Sequence, residues 1–239
     1  MKNHLLSITN LIKIFEEQVV IKKISFSIKQ NSILGILGKN GAGKTTLLGM
    51  LMGLIKPTSG EIKIFGKDLE KNRDLILKFI NFQSPYVELP KKMTVEQNLF
   101  FYGRLYGLRD LKSKILKLST DLKIYSLLNK SYGSLSAGQK TKVNLCKALL
   151  NSPKLLLLDE PTASLDPETS IFIRDYLLEF KKKNNSSILI TSHNLEEIQC
   201  MCEDIILLKS GEIASHGRVK DILNKNNHKS IMDFFLERA

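Results

Sequence analysis

Tryptophan is absent from this chain of 239 residues, and cysteine is scarce, with only Cys146, Cys200 and Cys202. Three thiols at that spacing make neither a zinc pattern nor an even disulfide set, which excludes a stapled fold. They read as half-buried apolar residues in a reducing cytosol. Long apolar runs are missing too. The densest, Leu155–Leu158 and Ile205–Leu208, fall far short of the ~18 residues that cross a bilayer. The start, Met1–Lys2–Asn3–His4, lacks a basic head followed by an apolar stretch, so no signal peptide is expected. Neither a repeat nor a low-complexity segment is present. Acidic residues are outnumbered by basic ones, 24 to 36, for a net charge of +12. Such a surplus invites a polyanion partner. However, no aromatics interleave with the lysines as stacking platforms would require. The one dense run, Lys181–Lys182–Lys183, falls at the expected end of a helix, where cations complement the macrodipole. A solvated basic surface is expected, and no nucleic acid.

What remains is an ordinary globular composition, 43% hydrophobic and 25% charged, in a chain long enough to bury about 70–75% of its unfolded surface. β-Branched segments open it, at Leu5–Thr9 and Val19–Ile28, followed by the short apolar strand Ile33–Leu37 and a helix over Lys44–Gly53. A turn at Lys56–Gly60 leads to a strand over Glu61–Phe65 and another near Phe79–Phe82. The middle reads as helical. Thr94–Val95–Glu96–Gln97 is a capping box opening a helix to about Gly107, a second helix covers Leu111–Leu122, and a third starts at Ser136–Ala137–Gly138–Gln139, again at capping-box spacing. The apolar face of this third helix is Val143, Cys146, Leu149 and Leu150. The last third alternates: strand Leu155–Leu158, a helix announced by Asp166–Pro167, strand Ile188–Thr191, a helix capped by Asn194, and a hairpin turned at Ser210–Gly211. Strands alternating with helices predict an α/β core built on a parallel sheet.

The strongest chemical signal is Gly38–Lys39–Asn40–Gly41–Ala42–Gly43–Lys44–Thr45, a match to G-x-x-x-x-G-K-[ST] that arises by chance in about one per cent of chains this long. A buried strand precedes it and a helix follows, as a phosphate-binding loop requires. Glycines let backbone N–H groups turn inward around phosphate oxygens, and the helix N-terminus adds positive potential. Lys44 is placed to bridge the β- and γ-phosphates and Thr45 to ligate Mg²⁺. A nucleoside triphosphate is the expected ligand. The apolar run Leu155–Leu158 implies a strand buried on both faces, with Asp159 and Glu160 emerging at its C-terminal edge, where ligands bind in open α/β sheets. Asp159 is suited to hold Mg²⁺ and Glu160 to polarise an attacking water. The segment Leu135–Ser136–Ala137–Gly138–Gln139 opens a second helix with small residues, a second anion site in principle. One nucleotide does not easily occupy two helix N-termini about a hundred residues apart, and the arrangement makes sense where each serves a different copy of the chain.

At this point the sequence resembles the ATP-binding subunit of an ATP-binding-cassette (ABC) transporter. Leu135–Gln139 is similar to the family signature, with Ala137 in place of its first glycine; the methyl is tolerable if the backbone keeps φ negative. The resemblance runs from about Leu5 to Gly217. It implies a P-loop NTPase core with a mostly parallel sheet, an N-terminal antiparallel β subdomain and an inserted helical lobe, all within a single α/β domain over 1–239. The core would be 1–83 and 153–217, the lobe about 84–152 and a helical tail about 218–239. It also implies ATP and Mg²⁺ as ligands, with an ATP site over Gly38–Thr45 and Thr46. Catalysis would rest on Lys44, Glu160 and His193, the family's switch histidine, and Mg²⁺ on Thr45, Gln83 and Asp159. The signature Leu135, Ser136, Ala137, Gly138 and Gln139 would complete the site of a second subunit, and Ser164, Leu165 and Asp166 would form the loop that crosses the dimer interface.

Two positions stay open. Phe15 lies where the family stacks an aromatic on adenine, with a core phenylalanine as the alternative. Gln83 matches the glutamine that joins Mg²⁺ to the membrane-facing lobe, while another gapless alignment puts Pro85 there. The resemblance implies ATP hydrolysis at the cytoplasmic face of a membrane, through a homodimer or heterodimer of such subunits docked on a separate transmembrane permease. Strings such as Gly53–Gly60 and Thr191–Glu197 are similar to the exporting branch. The lobe offers Tyr86–Val87–Glu88–Leu89 and Phe100–Phe101–Tyr102 beside Gln83 as the docking surface. A soluble ABC-type ATPase acting on ribosomes or DNA is the alternative. Such proteins usually carry two cassettes or a long coiled coil, and this chain has one cassette and no heptad stretch.

Overall fold

The computed structural model describes residues 4–163 and 165–225. The chain opens with two long antiparallel strands, β1 (His4–Phe15) and β2 (Gln18–Lys29), then β3 (Ile33–Leu37) and α1 (Lys44–Leu51). Next come β4 (Ser59–Ile64), the short β5 (Lys67–Asp68), α2 (Arg73–Leu77) and β6 (Ile80–Gln83). Three helices follow, α3 (Val95–Leu105), α4 (Leu111–Asp121) and α5 (Ala137–Leu149). The remainder alternates through β7 (Leu155–Asp159), α6 (Pro167–Asn184), β8 (Ser187–Thr191), α7 (Leu195–Met201), the hairpin β9 (Asp204–Lys209) and β10 (Glu212–Arg218), and α8 (Val219–Lys225). Both capping boxes form, Thr94 with Gln97 and Ser136 with Gln139. Asp166 caps α6 with Pro167 at its first position, and Lys181–Lys183 fall in its last turn.

The strands make two sheets. One is antiparallel, in the order β2-β1-β4-β5, and the other runs β10-β9-β3-β8-β7-β6, parallel except for β10 at its edge. β1 continues well past Thr9, where the sequence pattern weakens. Asn10 takes a positive φ of 50°, and the register with both neighbours shifts there, so the alternation breaks at a bulge and resumes beyond it. The short β5 and α2 have no counterpart among the expected elements.

Period-two alternation explains how the main sheet is buried on both faces. Ile33, Leu156, Leu158, Ile188, Ile190, Ile205 and Leu207 enter one apolar cluster with the helical segments, while Leu34, Ile36, Leu155, Leu157, Leu189, Ile206 and Leu208 enter another. The second cluster holds α1 and the inner face of the antiparallel sheet, including Leu6, Ile21 and Leu48. The expected α5 face, Val143, Cys146, Leu149 and Leu150, is fully buried.

Helices α3–α5 lie between β6 and β7 in the chain, and α5 is tied back to the end of β6 along one face. Lys140, Asn144 and Lys147, at helical spacing i, i+4 and i+7, reach the segment 82–88. Lys140 pairs with Glu88 at 3.2 Å, Asn144 Nδ2 donates to the Val87 carbonyl at 3.1 Å, and Lys147 Nζ donates to the Phe82 carbonyl at 3.0 Å. Leu89 corrects one expectation. It is 2% exposed and belongs to the core, whereas Tyr86 is 81% exposed. Leu89 therefore cannot offer a docking surface; as the segment turns to meet α5, its side chain closes the lobe. Phe100 packs partly against the same core and Phe101 faces out.

Two measurements test this packing. Chemical denaturation of Leu89→Ala should show a loss of about 2–5 kcal/mol, the range for a buried leucine, against a change within about 0.5 kcal/mol for Tyr86→Ala. Lys147 supplies the second. Burial lowers its pKa from the ordinary 10.5 to about 8, so above that value the folded chain holds one proton fewer than the unfolded chain. Stability from this group must then rise with pH, by up to about 1.4 kcal/mol per unit, as pH climbs from 8 toward 10.5. Unfolding free energies of wild type and Lys147→Met, compared from pH 7 to 10, should diverge in favour of wild type. A difference that stays constant, or that moves in favour of Lys147→Met as pH rises, contradicts the buried amine.

Candidate functional site

The C-terminal ends of four parallel strands meet at one edge. In the ladders Gln83 stands opposite Leu158, Asp159 opposite Thr191, and Ile36 opposite Thr191. The loop that leaves β3 there, residues 38–43, wraps tightly before α1. At Gly38 a Cβ would sit 2.5 Å from the Leu208 carbonyl oxygen, so only glycine allows this approach. Gly43 has φ +103° and serves as the N-cap of α1, where an added Cβ would also meet Ile21 at 2.7 Å. The ammonium of Lys44 turns back over the loop, donating to the carbonyls of Gly38 at 2.6 Å and Lys39 at 3.2 Å. Residues 40–46 line a cleft of 330 Å³ together with Gln18, Val20, Tyr86, Asp159 and Glu160. A cationic amine and the start of a helix at one end, with carboxylates at the other, suit a polyphosphate carrying a divalent cation.

Asp159 is held from two sides. Thr191 Oγ1 donates to its Oδ1 at 2.6 Å and Ser84 Oγ to its Oδ2 at 3.2 Å. Beside it, Gln83 is 2% exposed and neither its amide oxygen nor its amide nitrogen has a partner. A buried orphan amide is costly, and its place at the sheet edge next to Asp159 fits a ligand not made by the chain. That favours Gln83 over Pro85 for the position the sequence left open. The donor set, a carboxylate, a hydroxyl at Thr45 and an amide oxygen, is all oxygen, as Mg²⁺ prefers. Among the described residues no group of three or more His, Cys, Asp or Glu gathers that could hold a metal alone. A cation here would need phosphate oxygens and water to complete its shell.

Glu160 follows Asp159 in a left-handed conformation, φ +49°, with its N–H donating to the Thr191 carbonyl at 2.9 Å. Its Oε2 lies 2.6 Å from His193 Nδ1 and accepts from the His193 backbone N–H at 3.3 Å. The histidine side chain is 72% exposed, so its outer edge is free to meet something beyond this fold. Behind the pair sits Glu197, which the sequence reading did not single out. It is 1% exposed, accepting from Thr162 Oγ1 at 2.9 Å and from Ser192 Oγ at 2.6 Å. Burial raises the Glu197 pKa, and the two hydroxyls oppose that rise.

Other expected site residues lie elsewhere. Leu135–Gln139 do not line the cleft. Ser136 and Gln139 close their own helix cap instead, with Ala137 as the first helical residue and no positive φ, which meets the condition for its methyl. Phe15 is 42% exposed, so it is not a core residue. It is paired across the hairpin with Gln18, at the cleft rim, and Lys13 Nζ sits 4.5 Å from its ring centre. Leu165 packs partly against the core and Asp166 accepts from the Thr169 N–H at 2.9 Å. Ser164 and the tail from 226 onward lie outside the described residues. Ser84, Thr162, Thr191, Ser192 and Glu197 are the additions. Only the adjacency of the hydroxyl residues to Gln83, Glu160 and His193 in sequence could have flagged them.

Comparison with known proteins follows the same lines. Residues 21–163 match the family described as ABC transporter. The chain is 32% identical to the ABC transporter ATP-binding protein NatA of Bacillus subtilis (strain 168), over 91% of this chain and 89% of the relative. It is 31% identical to the Nod factor export ATP-binding protein I of Rhizobium sp. (strain N33), over 93% and 74%. A solved structure described as the ATP-binding subunit of an ABC transporter superposes with a TM-score of 0.90 at 25% identity, covering 98% of each chain.

Proposed function

Because the chain belongs to the ABC transporter family, as an ATP-hydrolysing ATP-binding subunit, we propose that two such subunits close head to tail over two ATP molecules and drive export through a separate membrane-spanning partner. The observation that carries this reading is the pair Glu160–His193, 2.6 Å apart, with Glu160 in the cleft lining and the signature segment outside that cleft. Each half-site holds a phosphate loop, an acid and a histidine, and a second copy supplies Ser136–Gln139. In this reading Lys44 and the loop amides of residues 38–45 neutralise the triphosphate, with Thr46 one residue into the helix. Glu160 takes the proton of the attacking water, and His193, oriented by Glu160, contacts the γ-phosphate. Thr45, Asp159 and Gln83 would hold Mg²⁺, which when bound polarises the phosphoryl oxygens. Phe15 would stack on adenine from the hairpin beside Gln18. Leu165 and Asp166 would lie at the dimer seam.

Among the described residues no helix is long and apolar enough to cross a membrane, so attachment at the cytoplasmic face would rest on the partner. Tyr86 and Val87, in the segment after Gln83, and Phe101 and Leu105, one turn apart on α3, are exposed apolar side chains suited to that contact. The name of the Nod factor relative supports export. In this reading the chain is a single ABC ATPase domain, with a core over 1–83 and 153–217, a helical lobe over about 84–152 and a helical tail over about 218–239.

For catalysis, Glu160→Gln should keep ATP binding and lose about 10²-fold in turnover, while Lys44→Ala weakens binding itself. The Glu160→Gln chain should dimerise with ATP and not with ADP in light scattering, and adding Ser136→Arg should abolish that dimer with monomer affinity intact. Turnover like wild type in Glu160→Gln, or a monomer under all conditions, refutes the arrangement. For docking, membrane retention should survive 1 M salt, where the Debye length is about 3 Å, and fail in Phe101→Asp/Leu105→Asp with free ATPase activity little changed. Salt-labile retention indifferent to those substitutions would point to a soluble ATPase held by lipid charge.

A further inference from the structure

The two turns that carry Glu160 and His193 belong to different strands, and each needs a fixed position for the 2.6 Å pair to form. One backbone bond joins them, from Glu160 N–H to the Thr191 carbonyl. Thr191 Oγ1 joins them again by donating to Asp159 at 2.6 Å, and a further link, deeper in the fold, is a buried carboxylate. Glu197 Oε1 accepts from Thr162, two residues after Glu160, and its Oε2 accepts from Ser192, one residue before His193. Ser192 Oγ in turn accepts from the Asn194 N–H at 3.0 Å, so the donor of that hydroxyl is committed to Glu197. Asn194 caps α7 through the N–H groups of Glu196 and Glu197, which fixes the carboxylate to the start of the same helix. All three side chains, Thr162, Ser192 and Glu197, are buried. Glu160 meanwhile holds a left-handed φ of 49°, a conformation that a non-glycine residue keeps only where neighbours over-determine it.

We propose that Glu197 is a positioning residue, clamping the Glu160 turn to the His193 turn through the hydroxyls of Thr162 and Ser192. It sets turnover without touching nucleotide. The proposal rests on the reading of Glu160 and His193 given above and adds a residue behind them. Neither oxygen of Glu197 faces the cleft lining, so its loss acts on the chemical step through geometry, where small displacements of a base are expensive.

The test uses three substitutions in the full chain, Glu197→Gln, Thr162→Val and Ser192→Ala, with ATP turnover, KM, nucleotide affinity and thermal unfolding measured for each. Each should lower kcat by about tenfold or more, the kinetic equivalent of one hydrogen bond to a charged group. KM and nucleotide affinity should stay within about threefold. The double variant Thr162→Val/Glu197→Gln should be no slower than the worse single one, since both break the same link. In a Glu160→Gln background, the ATP-dependent dimer should persist with Glu197→Gln added. Thr162→Val removes only a hydroxyl and keeps the test valid where Glu197→Gln does not fold. Unchanged kcat in Thr162→Val and Ser192→Ala, or kcat and affinity falling together with the folded fraction, overturns the clamp. Wild-type turnover in Glu160→Gln would instead overturn the assignment of the base, whatever the clamp variants do.

Discussion

A parallel sheet covered on both faces leaves its polar chemistry one place to go. Each residue of β3, β7 and β8 is buried, and a charged group within them would cost several kcal/mol without a partner. The polar residues therefore collect where the strands end. Gly38 follows β3, Gln83 closes β6, Asp159 closes β7, and Thr191 closes β8. Register makes this a site and not four separate turns. Because Asp159 stands opposite Thr191 and Gln83 opposite Leu158, the groups fall at one level of one edge. Shifting any strand by one residue would turn its apolar side chains to the wrong cluster, so the packing of the core and the alignment of the site are a single constraint.

The same edge is joined to the helical segment by a rigid face. Lys140, Asn144 and Lys147 on α5 meet the segment 82–88, on either side of Gln83, at three points. The signature residues open that same helix, with Lys140 directly after Gln139 and Lys147 about two turns further on. The residues around Gln83 and the segment Ser136–Gln139 are thus connected through one helix. Lys147 carries the buried end of the link. Its ammonium is desolvated, and the Phe82 carbonyl is the acceptor that keeps it from being an unpaired charge. Lys140, more exposed, contributes little by its ion pair alone.

Local signals were enough for much of this. Both capping boxes, the Asp166–Pro167 start of α6 and the glycine loop form as spelled, because each depends on residues within four positions of one another. Asp159, Glu160 and the lysine of the loop sit where periodicity and the buried strand put them. What the sequence hid depends on contacts between distant segments. Glu197 looks like one more acid in the first turn of a helix, and only the fold brings Thr162 and Ser192 to its two oxygens. Leu89 looks like a surface leucine in a loop until Asn144 draws the Val87 backbone onto α5. Asn10 gives no warning that β1 will bulge and continue to Phe15, since the gain comes from pairing with β2 and β4 beyond it.

Exposure divides the site into an inner half that is finished and an outer half that is not. Asp159, Glu197, Ser84 and Thr191 are buried with their polar atoms engaged. Gln83 is buried with its amide unengaged, and His193 and Ser136 lie at the surface. A fold that satisfies its supporting groups and leaves its reactive ones open has its strain and its desolvation arranged before any ligand arrives. The groups that remain open are an amide, a surface imidazole and the start of α5, for which the proposed arrangement supplies a cation, a phosphate and the nucleotide of a second subunit. In the proposed clamp the buried carboxylate at Glu197 links the Glu160 turn to the His193 turn, and the α5 contacts tie the start of that helix to the segment 82–88. In that arrangement binding free energy would have little internal reorganisation to offset and would go into bringing two such edges together.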